Sequence, residues 1–597
     1  MAGLAADALT LADKAQSPYR IVIPADAVPA ERYAAAELQH YLEAMSGAKL
    51  PIVSDGEPRG DREIVLGASN RRIADLGLKP DSVRLGADGF WLKTASSALV
   101  VAGGRPRGTL YGVYTLLDDV LGVRWWTPDA ELVPKVQSLT VPELDQVQTP
   151  AFEYREVYWR AVTQNPIFAA RQRLNAGLTA EQGGAAFICY PSCHSLDELI
   201  PRTLFTNHPE YFPLIRGQRQ TGYTQRCLSN PAVVALAIAT VRRWIHEHPE
   251  AAIISVTQND NGEYCRCPTC RALDDAEGSP AASFIQFVNA IAEDIERDYP
   301  QLWIDTFAYQ YTRTPPKTIR PRRNVVVRLC SIECCFAHPF DRCTSEENRR
   351  FVADAAIWQH IATKLYVWDY TTNFRHYQQP FPDLGVLQPN LRFFRDHGVK
   401  GVFEQGNYTS KLGELEGLRS YLLAKLLWDP EADVARHTRE FLKGYYGAAA
   451  PGIQTYLDRL QAQVEPAGCH AHIYDAPPTP GRRLAAGVVG TFSETYHYST
   501  ARYLTPAFLA EADQVLAQAE ATADNETVRL RVRVVRLPVW YAMLASRQVS
   551  GAAYTKLLAD FVETLHRADI TGLRERGGMD EELKEMGWEA AAPASAK

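Results

Sequence analysis

Apolar and polar residues alternate in short blocks over the first quarter of this 597-residue chain. Short β-branched or aromatic runs, most of them ending near glycine or proline, predict strands at residues 21–24, 63–66, 90–92 and 99–102. Apolar residues at helical spacing predict a helix through Leu38, Tyr41, Leu42 and Met45. Gly47 is the predicted end of that helix, and a second helix is predicted from about residue 107. Residues 18–142 are therefore expected to form a small α+β domain.

After a polar, proline-bounded linker at residues 141–150, strand-like runs alternate with helical patterns. The strand candidates are residues 154–158, 186–190, 224–228, 253–257, 303–309, 325–329, 365–368 and 399–403. Such a succession of β/α units predicts a TIM-type (β/α)8 barrel over residues 151–430, within an α/β fold. Helical patterns then predict a helical C-terminal domain over residues 431–590, with helices at 437–446, 453–464, 506–521, 527–547 and 554–565.

Charge and hydropathy narrow the classes of partner. The chain has 63 basic and 70 acidic residues, a net charge of −7, which disfavours general binding to nucleic acid or to anionic membranes. No apolar run approaches the roughly 18 residues that a membrane span needs. The first residues lack a basic start followed by an apolar block, so no intact signal peptide is predicted there.

The chain has eleven cysteines, and ten of them lie between Cys189 and Cys343. Cys265, Cys267 and Cys270 are closely spaced, and with Cys227 or another fourth ligand they could hold a structural zinc ion. The alternatives are free thiols packed beneath active-site loops, or one or two disulfide bonds if the protein is exported.

Acidic residues follow four of the predicted barrel strands. They are Asp260, Glu333, Asp369 and Glu404. A single acid at a strand end often caps a helix or lies at the surface, but each of these has an amide, imidazole or aromatic neighbour that suits a sugar. Glycosidic cleavage needs paired carboxylates, one to protonate the leaving oxygen and one to stabilise or activate the attacking group. We therefore predict these four as catalytic candidates. The substrate-binding candidates are His194, Asn259, His338, Trp368, Tyr370, Asn373, Gln405 and Tyr408.

Motifs for other chemistries are missing from the sequence, which has no Gly-x-Ser-x-Gly elbow, no P-loop and no Rossmann glycine fingerprint. Cys193 and His194 are an unsuitable nucleophilic pair, because adjacent residues of an extended chain point in opposite directions. The carboxylates can carry out the chemistry alone, so no cofactor and no catalytic metal is predicted.

Several motifs in order resemble glycoside hydrolase family 163, over roughly residues 150–445. They are Cys227-Leu-Ser-Asn-Pro231, Gln258-Asn-Asp260 with Tyr264-Cys-x-Cys-x-x-Cys270, Glu333-Cys-Cys-Phe-Ala-His338-Pro, Trp368-Asp-Tyr370 with Asn373-Phe, Pro380-Phe-Pro382 and Phe403-Glu-Gln405-Gly. The N-terminal domain resembles the small domain that precedes the barrel in family 20 hexosaminidases and family 67 α-glucuronidases.

The resemblance implies an endo-β-N-acetylglucosaminidase that cuts the chitobiose core of N-glycans by a retaining, substrate-assisted mechanism. Its substrate would be an oligosaccharide or the glycan of a glycoprotein, and its location periplasmic or secreted. In such enzymes one carboxylate orients the substrate's acetamide and another is the general acid. The resemblance favours Asp260 and Glu333 as this pair, with Glu404 and Asp369 in support.

Two other functions stay open from the sequence. An exo-acting glycosidase of the hexosaminidase or α-glucuronidase type would use a closed pocket, and a uronic-acid substrate would need a basic subsite. Arg160, Arg226 and Arg375 lie near predicted strand ends and are available for that role. A non-catalytic carbohydrate-binding barrel is the second alternative, although binding alone needs aromatic and amide side chains more than it needs carboxylates.

Overall fold

The computed structural model describes residues 8–466, 468–478 and 500–588. The chain divides into two compact units, and each unit is assembled from separate segments. The first unit comprises Met1–Val157, Ala161–Ala186 and Gly417–Tyr445. The second comprises Tyr158–Arg160, Phe187–Glu416 and Tyr446–Lys597. The three-domain division at 18–142, 151–430 and 431–590 stays a prediction, and its last two residues lie outside the described part of the chain.

A six-stranded mixed sheet forms the centre of the first unit. Its strands follow the spatial order Asp145–Gln148, Phe90–Ala95, Ala98–Gly103, Glu63–Leu66, Arg20–Ile23 and Ile52–Ser54. The predicted strands of this region are therefore confirmed. The predicted helix is also confirmed as Pro29–Ser46, and it ends where Gly47 adopts a left-handed φ of 78° and its N–H donates to the carbonyl of Glu43.

The remaining elements of the first unit are short strands and helices. The strands are Leu9–Asp13, Arg124–Thr127, Ala130–Leu132, Ser138–Val141 and Tyr154–Tyr158, and the last residue of the last strand is assigned to the second unit. The helices are Arg71–Asp75, Ser82–Leu85, Gly108–Thr115, Arg160–Thr163, Pro166–Arg171, Glu416–Trp428 and Val434–Tyr446, of which the terminal residues Arg160, Glu416 and Tyr446 are assigned to the second unit. The ammonium of Lys425, on a late helix, donates to the buried carboxylate of Asp118, which also pairs with Arg124 at 3.0 Å. This ion pair joins the late segment of the unit to its early one.

Six parallel strands form a curled half-barrel in the second unit. Their spatial order is Gly401–Gln405, Lys364–Tyr370, Val325–Cys330, Trp303–Ala308, Ile253–Ser255 and Cys189–Tyr190. Each pair of neighbours in this order is parallel, as in the predicted barrel. The described strands of this unit thus give a half-barrel, and a complete (β/α)8 barrel stays a prediction.

The strand predicted at residues 224–228 is wrong. This segment has no strand structure. The N–H of Gln225 donates to the carbonyl of Glu263 and the N–H of Cys227 donates to that of Tyr211, and neither acceptor lies in a strand. The physical reason is composition, because Gln225 and Arg226 are completely buried polar residues whose side chains need loop carbonyls rather than an apolar core. The Cys189–Tyr190 strand is also shorter than predicted.

Helices pack around the half-barrel and continue after it. Those among the strands are Leu196–Leu199, Pro231–Glu247, Pro268–Glu277, Ala281–Asp298, Glu346–Ile361 and Leu387–Asp396. The later helices are Ala450–Ala462, Pro506–Ala521, Glu526–Ala545, Gly551–Arg567 and Met579–Glu585, as the helical pattern after residue 431 predicts. No helix in the described ranges is long and apolar enough to span a membrane.

Candidate active site

The concave face of the half-barrel carries a row of aromatic side chains near the strand ends. Trp368 and Phe403 are register partners on neighbouring strands, and their rings lie 4.2 Å apart between centroids. The indole N–H of Trp368 donates to Oε1 of Gln405 at 2.8 Å. Phe307 is two strands away, yet its ring centroid lies 5.6 Å from that of Trp368. Strands two places apart are roughly 10 Å apart, so these rings converge on the inner side of the curl.

Tyr158 and Tyr408 continue this aromatic row. The Tyr158 ring lies 4.9 Å from Phe403 and 5.1 Å from Tyr408. Tyr158 is held in place because its carbonyl accepts a hydrogen bond from the N–H of Gly406, at 3.1 Å. The Tyr408 hydroxyl donates to Oε1 of Glu575 at 3.0 Å, so the row ends at a carboxyl group.

Asp260 lies at the other end of the row. The hydroxyl of Tyr309, the residue after the Trp303–Ala308 strand, donates to its Oδ1 at 2.8 Å. The guanidinium of Arg576 lies 3.8 Å from its Oδ2. The Asp260 side chain is 19% exposed, so the carboxylate is both positioned by neighbours and reachable by solvent or a ligand.

His194 lies beside these groups. Its Nδ1 is 2.7 Å from the carbonyl oxygen of Gln258, which fixes the direction of the ring. The ring centroid lies 5.6 Å from that of Phe307 and 6.2 Å from that of Tyr309. The predicted residues His194, Asp260, Trp368, Gln405 and Tyr408 are therefore brought into one neighbourhood.

The contacts form a nearly continuous series, which we call the cleft ring. It comprises Asp260, Tyr309, Phe307, Trp368, Phe403, Tyr158, Tyr408 and Glu575. Burial raises the pKa of Glu575, and the charge of Asp260 raises it further, whereas the Tyr408 hydroxyl and Arg576 oppose the increase. Two carboxyl groups that influence each other thus stand beside aromatic faces, an arrangement suited to acid-assisted cleavage of a sugar bond.

Asp369 and Glu404 lie on the opposite face of the same strands. They are register partners, and side chains alternate along a strand, so they point away from Trp368 and Gln405. Both are buried, with 5% and 1% exposed. Burial raises the pKa of Asp369 to about 7, and burial together with the charges of Asp369 and Asp383 raises the pKa of Glu404 well above its usual value. This pair therefore faces away from the cleft ring, and its catalytic role stays a prediction.

Glu333 occupies a third environment. Its Oε2 pairs with the guanidinium of Arg313 at 2.7 Å, and the same guanidinium pairs with Asp354 at 2.9 Å. Burial raises the pKa of Glu333, and the charge of Arg313 works against that increase. The ion pair therefore directs the Glu333 carboxylate to Arg313, which is not a member of the cleft ring.

The other predicted substrate ligands make structural contacts. The Asn259 amide donates to Asp197 and to the carbonyl of Thr224, and the Asn373 amide donates to the carbonyl of Asp475. Tyr370 is buried and packs edge-on against Phe336 and Phe374. His338 lies among cysteine side chains. Their roles as substrate ligands stay predictions.

Sequence reasoning missed Glu575, Tyr309 and Tyr158. Tyr309 directly follows a strand, so the rule that selected the acids could have selected it. Tyr158 ends the Tyr154–Tyr158 strand and could have been found in the same way. Glu575 lies in a loop of the helical region, where no periodic signal marks it, and its backbone N–H is fixed by the carbonyl of Phe374 at 2.9 Å.

Two groups of metal-binding side chains occur in the described part of the chain. One contains Cys227, Cys265, Cys267 and Cys270, and the other contains Cys335, His338, Cys343 and His470. Within each group the four donor atoms lie within 4.8 Å of one another. All eleven cysteines of the chain are free thiols. The donor atoms of both groups suit zinc, which prefers thiolate and imidazole ligands.

The half-barrel thus presents carboxyl groups and aromatic rings near its strand ends. Residues 5–116 match the glycosyl hydrolase family 67 N-terminus, in agreement with the predicted resemblance of the N-terminal domain. Residues 125–458 match the domain of unknown function DUF4838. This match spans more than half of the chain, so the chain belongs to the DUF4838 family.

Solved structures share the fold at low sequence identity. A GH138 enzyme targeting pectin rhamnogalacturonan II is 12% identical with a TM-score of 0.51, over 92% of this chain and 73% of that chain. CpGH89 from Clostridium perfringens, in complex with its substrate GlcNAc-alpha-1,4-galactose, is 11% identical with a TM-score of 0.50, over 90% of this chain and 64% of that chain. No curated protein matches the chain.

Proposed function

We propose that this protein is a glycoside hydrolase that uses Asp260 and Glu575 as its two carboxyl groups. The observation that carries the proposal is the cleft ring, which starts at one carboxyl group and ends at the other, with aromatic side chains between them. Aromatic faces stack on sugar rings, and the carboxyl pair supplies the proton and the negative charge that glycosidic cleavage needs.

Within this class, we propose an endo-β-N-acetylglucosaminidase acting on N-glycans. The sequence motifs that resemble glycoside hydrolase family 163 support this activity. The likeness of the fold to CpGH89, which was solved with an N-acetylglucosamine-containing substrate, is in keeping with an N-acetylglucosaminide as the substrate class.

The proposed mechanism assigns a different task to each carboxyl group. Glu575 donates its proton to the leaving glycosidic oxygen, while the carbonyl oxygen of the substrate's acetamide attacks the anomeric carbon. Asp260, held by Tyr309 and Arg576, accepts a hydrogen bond from the acetamide N–H and directs this attack. Glu575 then accepts a proton from the water that opens the cyclic intermediate, so the configuration at the anomeric carbon is retained.

The raised pKa of Glu575 suits the acid role. Burial is the largest cause of that increase, and it keeps the carboxyl protonated to a higher pH than usual. We therefore expect activity to fall on the alkaline side as Glu575 loses its proton. The sequence paired Asp260 with Glu333, whereas this proposal pairs it with Glu575. The reason is that the Glu333 carboxylate pairs with Arg313, which lies outside the cleft ring.

An exo-acting glycosidase with an acidic sugar is the second candidate. The N-terminal match to family 67 favours it, and so does the exposed guanidinium of Arg576 beside Asp260, which could pair with a uronate carboxylate. Arg226 is unsuited to this role, because it is completely buried and its guanidinium bonds to Asp197 and to backbone carbonyls.

One experiment tests both the activity and the residues. The purified protein is incubated with a sialylated or galactosylated complex N-glycoprotein and separately with short aryl glycosides, and the products are identified by mass. We expect an intact released glycan from the glycoprotein. Release of single sugars from the aryl glycosides, with no glycan product, would support the exo-acting candidate instead.

Variants then identify the acid. Asp260→Asn and Glu575→Gln are each expected to lower turnover by about a hundredfold or more with an unchanged circular dichroism spectrum. Glu333→Gln is the matched comparison, and we expect it to lower thermal stability more than turnover, since it breaks a buried ion pair. A folded Glu333→Gln protein without activity, beside an active Glu575→Gln protein, would restore the sequence-based pair.

A further inference from the structure

The side chains of Cys335, His338, Cys343 and His470 form a compact group on the second unit. Nδ1 of His338 lies 3.5 Å from Sγ of Cys335 and 4.0 Å from Sγ of Cys343. Sγ of Cys343 also lies 3.6 Å from Nδ1 of His470. The two cysteines are buried and the two histidines are half-buried. We propose that these four side chains bind a structural zinc ion.

The distances fit tetrahedral coordination. With Zn–S at about 2.3 Å and Zn–N at about 2.05 Å, a sulfur and a nitrogen ligand of one tetrahedral zinc lie about 3.5 Å apart. The distances of 3.5 Å and 3.6 Å match this edge, and the third, 4.0 Å, is slightly longer. Two thiolates and two neutral imidazoles also balance the charge of Zn²⁺, so the group can be buried without a net charge.

The contacts of His338 specify which nitrogen can bind the metal. Its Nε2 lies 2.8 Å from the carbonyl oxygen of Val464, and a carbonyl only accepts hydrogen bonds. Nε2 therefore carries the proton, and in the neutral ring Nδ1 presents its lone pair to the two sulfur atoms. Metal-bound histidines typically donate their other N–H to such an acceptor, which orients the ring and makes it a better ligand.

The site joins two parts of the second unit that are far apart in sequence. His470 belongs to the described segment 468–478, and the other three ligands lie in the loop after the Val325–Cys330 strand. In the same segment, the carbonyl of Ala471 accepts a hydrogen bond from the N–H of Phe336. The carbonyl of Ile473 accepts one from the N–H of Phe374. The carbonyl of Phe374 in turn accepts the N–H of Glu575, so the zinc would support the backbone that carries this cleft residue.

A second zinc site rests on a separate observation. Sγ of Cys227 and Sγ of Cys267 lie 3.7 Å apart, far beyond a disulfide bond but close to the roughly 3.8 Å edge of a Zn(Cys)4 tetrahedron. Sγ of Cys265 accepts the N–H of Leu214 at 3.3 Å and lies 3.8 Å from the guanidinium of Arg219. Such donors stabilise thiolates, and we infer that these three sulfurs and Cys270 bind the second zinc ion.

Both sites can be tested on the unaltered protein. After dialysis, elemental analysis is expected to give about two zinc ions per chain. X-ray absorption at the zinc edge is expected to show, averaged over the two sites, three sulfur ligands at about 2.3 Å and one nitrogen ligand at about 2.0 Å per zinc. One zinc ion with four sulfur ligands would overturn the Cys2His2 site, and a protein without zinc would overturn both.

Variants assign the metal to its ligands. The double variant Cys335→Ser/Cys343→Ser is expected to lose one zinc ion, and Cys227→Ser/Cys265→Ser to lose the other. Cys469→Ser is the matched control, because this half-buried cysteine adjoins His470 but is not a ligand, and it should keep both ions. A thiol titration in denaturant and chelator that finds fewer than six free thiols would show that at least one of the six cysteine ligands is in a disulfide, and it would contradict the proposal.

Discussion

Asp369 allows a quantitative test of the outer face of the half-barrel. Replacing it by Asn is expected to stabilise the protein near pH 8 and to have a much smaller effect near pH 4. Burial raises the pKa of Asp369 in the folded protein to about 7, whereas its ordinary value is 3.8. In the unfolded chain the carboxyl ionises near the ordinary value, so unfolding releases a proton between these two pH values.

The sign and size of the effect follow from this difference. The contribution of Asp369 to stability is most favourable below pH 3.8, where both states hold the proton, and it falls as pH rises until the folded carboxyl also ionises near pH 7. A difference of about 3 pKa units corresponds to roughly 4 kcal/mol, all of it lost above pH 7. Asp369→Asn removes the ionisation and keeps an oxygen that can accept the hydrogen bond from Ser331.

The assay compares urea unfolding of the wild type and the variant across this pH range. The useful quantity is the change in unfolding free energy between pH 4 and pH 8, because any packing cost of the amide cancels in it. Ser331→Ala is the control, because it keeps the carboxyl but removes a hydrogen bond that lowers the pKa of Asp369, so the pH dependence should persist or become larger. Hydrogen exchange in Lys364–Tyr370 and Gly401–Gln405 would locate the effect. Equal pH dependence in the wild type and Asp369→Asn would refute this reasoning.

Two further predictions concern the cleft ring. Trp368→Ala is expected to raise KM more than it lowers kcat, because a stacking surface binds the ground and transition states alike. The increase in KM should be larger on a full N-glycan than on an aryl glycoside, and equal effects on both substrates would favour an exo-acting pocket. Tyr408→Phe removes a hydrogen bond that lowers the pKa of Glu575, so the alkaline limit of activity should move to higher pH. If the pH–rate profile of the variant shows the same alkaline limit as the wild type, Glu575 is not the general acid.

Periodic patterns predicted most of the fold because burial on one face of an element leaves a regular trace in the sequence. The Pro29–Ser46 helix and the Phe90–Ala95 strand both follow this rule. Residues 224–228 did not, because a run that contains Gln225 and Arg226 is buried through its polar contacts with loops, and periodicity does not report such contacts.

The site was predicted less completely, for two physical reasons. Asp369 and Trp368 were selected together as neighbours in sequence, but side chains alternate along a strand and these two point to opposite faces, so the catalytic role of Asp369 stays a prediction. Glu575 comes from a loop 315 residues after Asp260 in the sequence, and only tertiary structure brings its charge close to that carboxylate. The cysteine spacing was more informative, because the suggested fourth ligand, Cys227, does lie with the other three.

The pairing of Lys425 with Asp118 has a consequence for protein synthesis. These residues are 307 positions apart, although both belong to the first unit. A ribosome that adds about 5–20 residues per second needs roughly 15–60 s to make the intervening chain. During that time every strand of the half-barrel is produced, while Asp118 has its early partner Arg124 but not yet the Lys425 ammonium. The unit that is started first is therefore completed only after the half-barrel strands have left the ribosome.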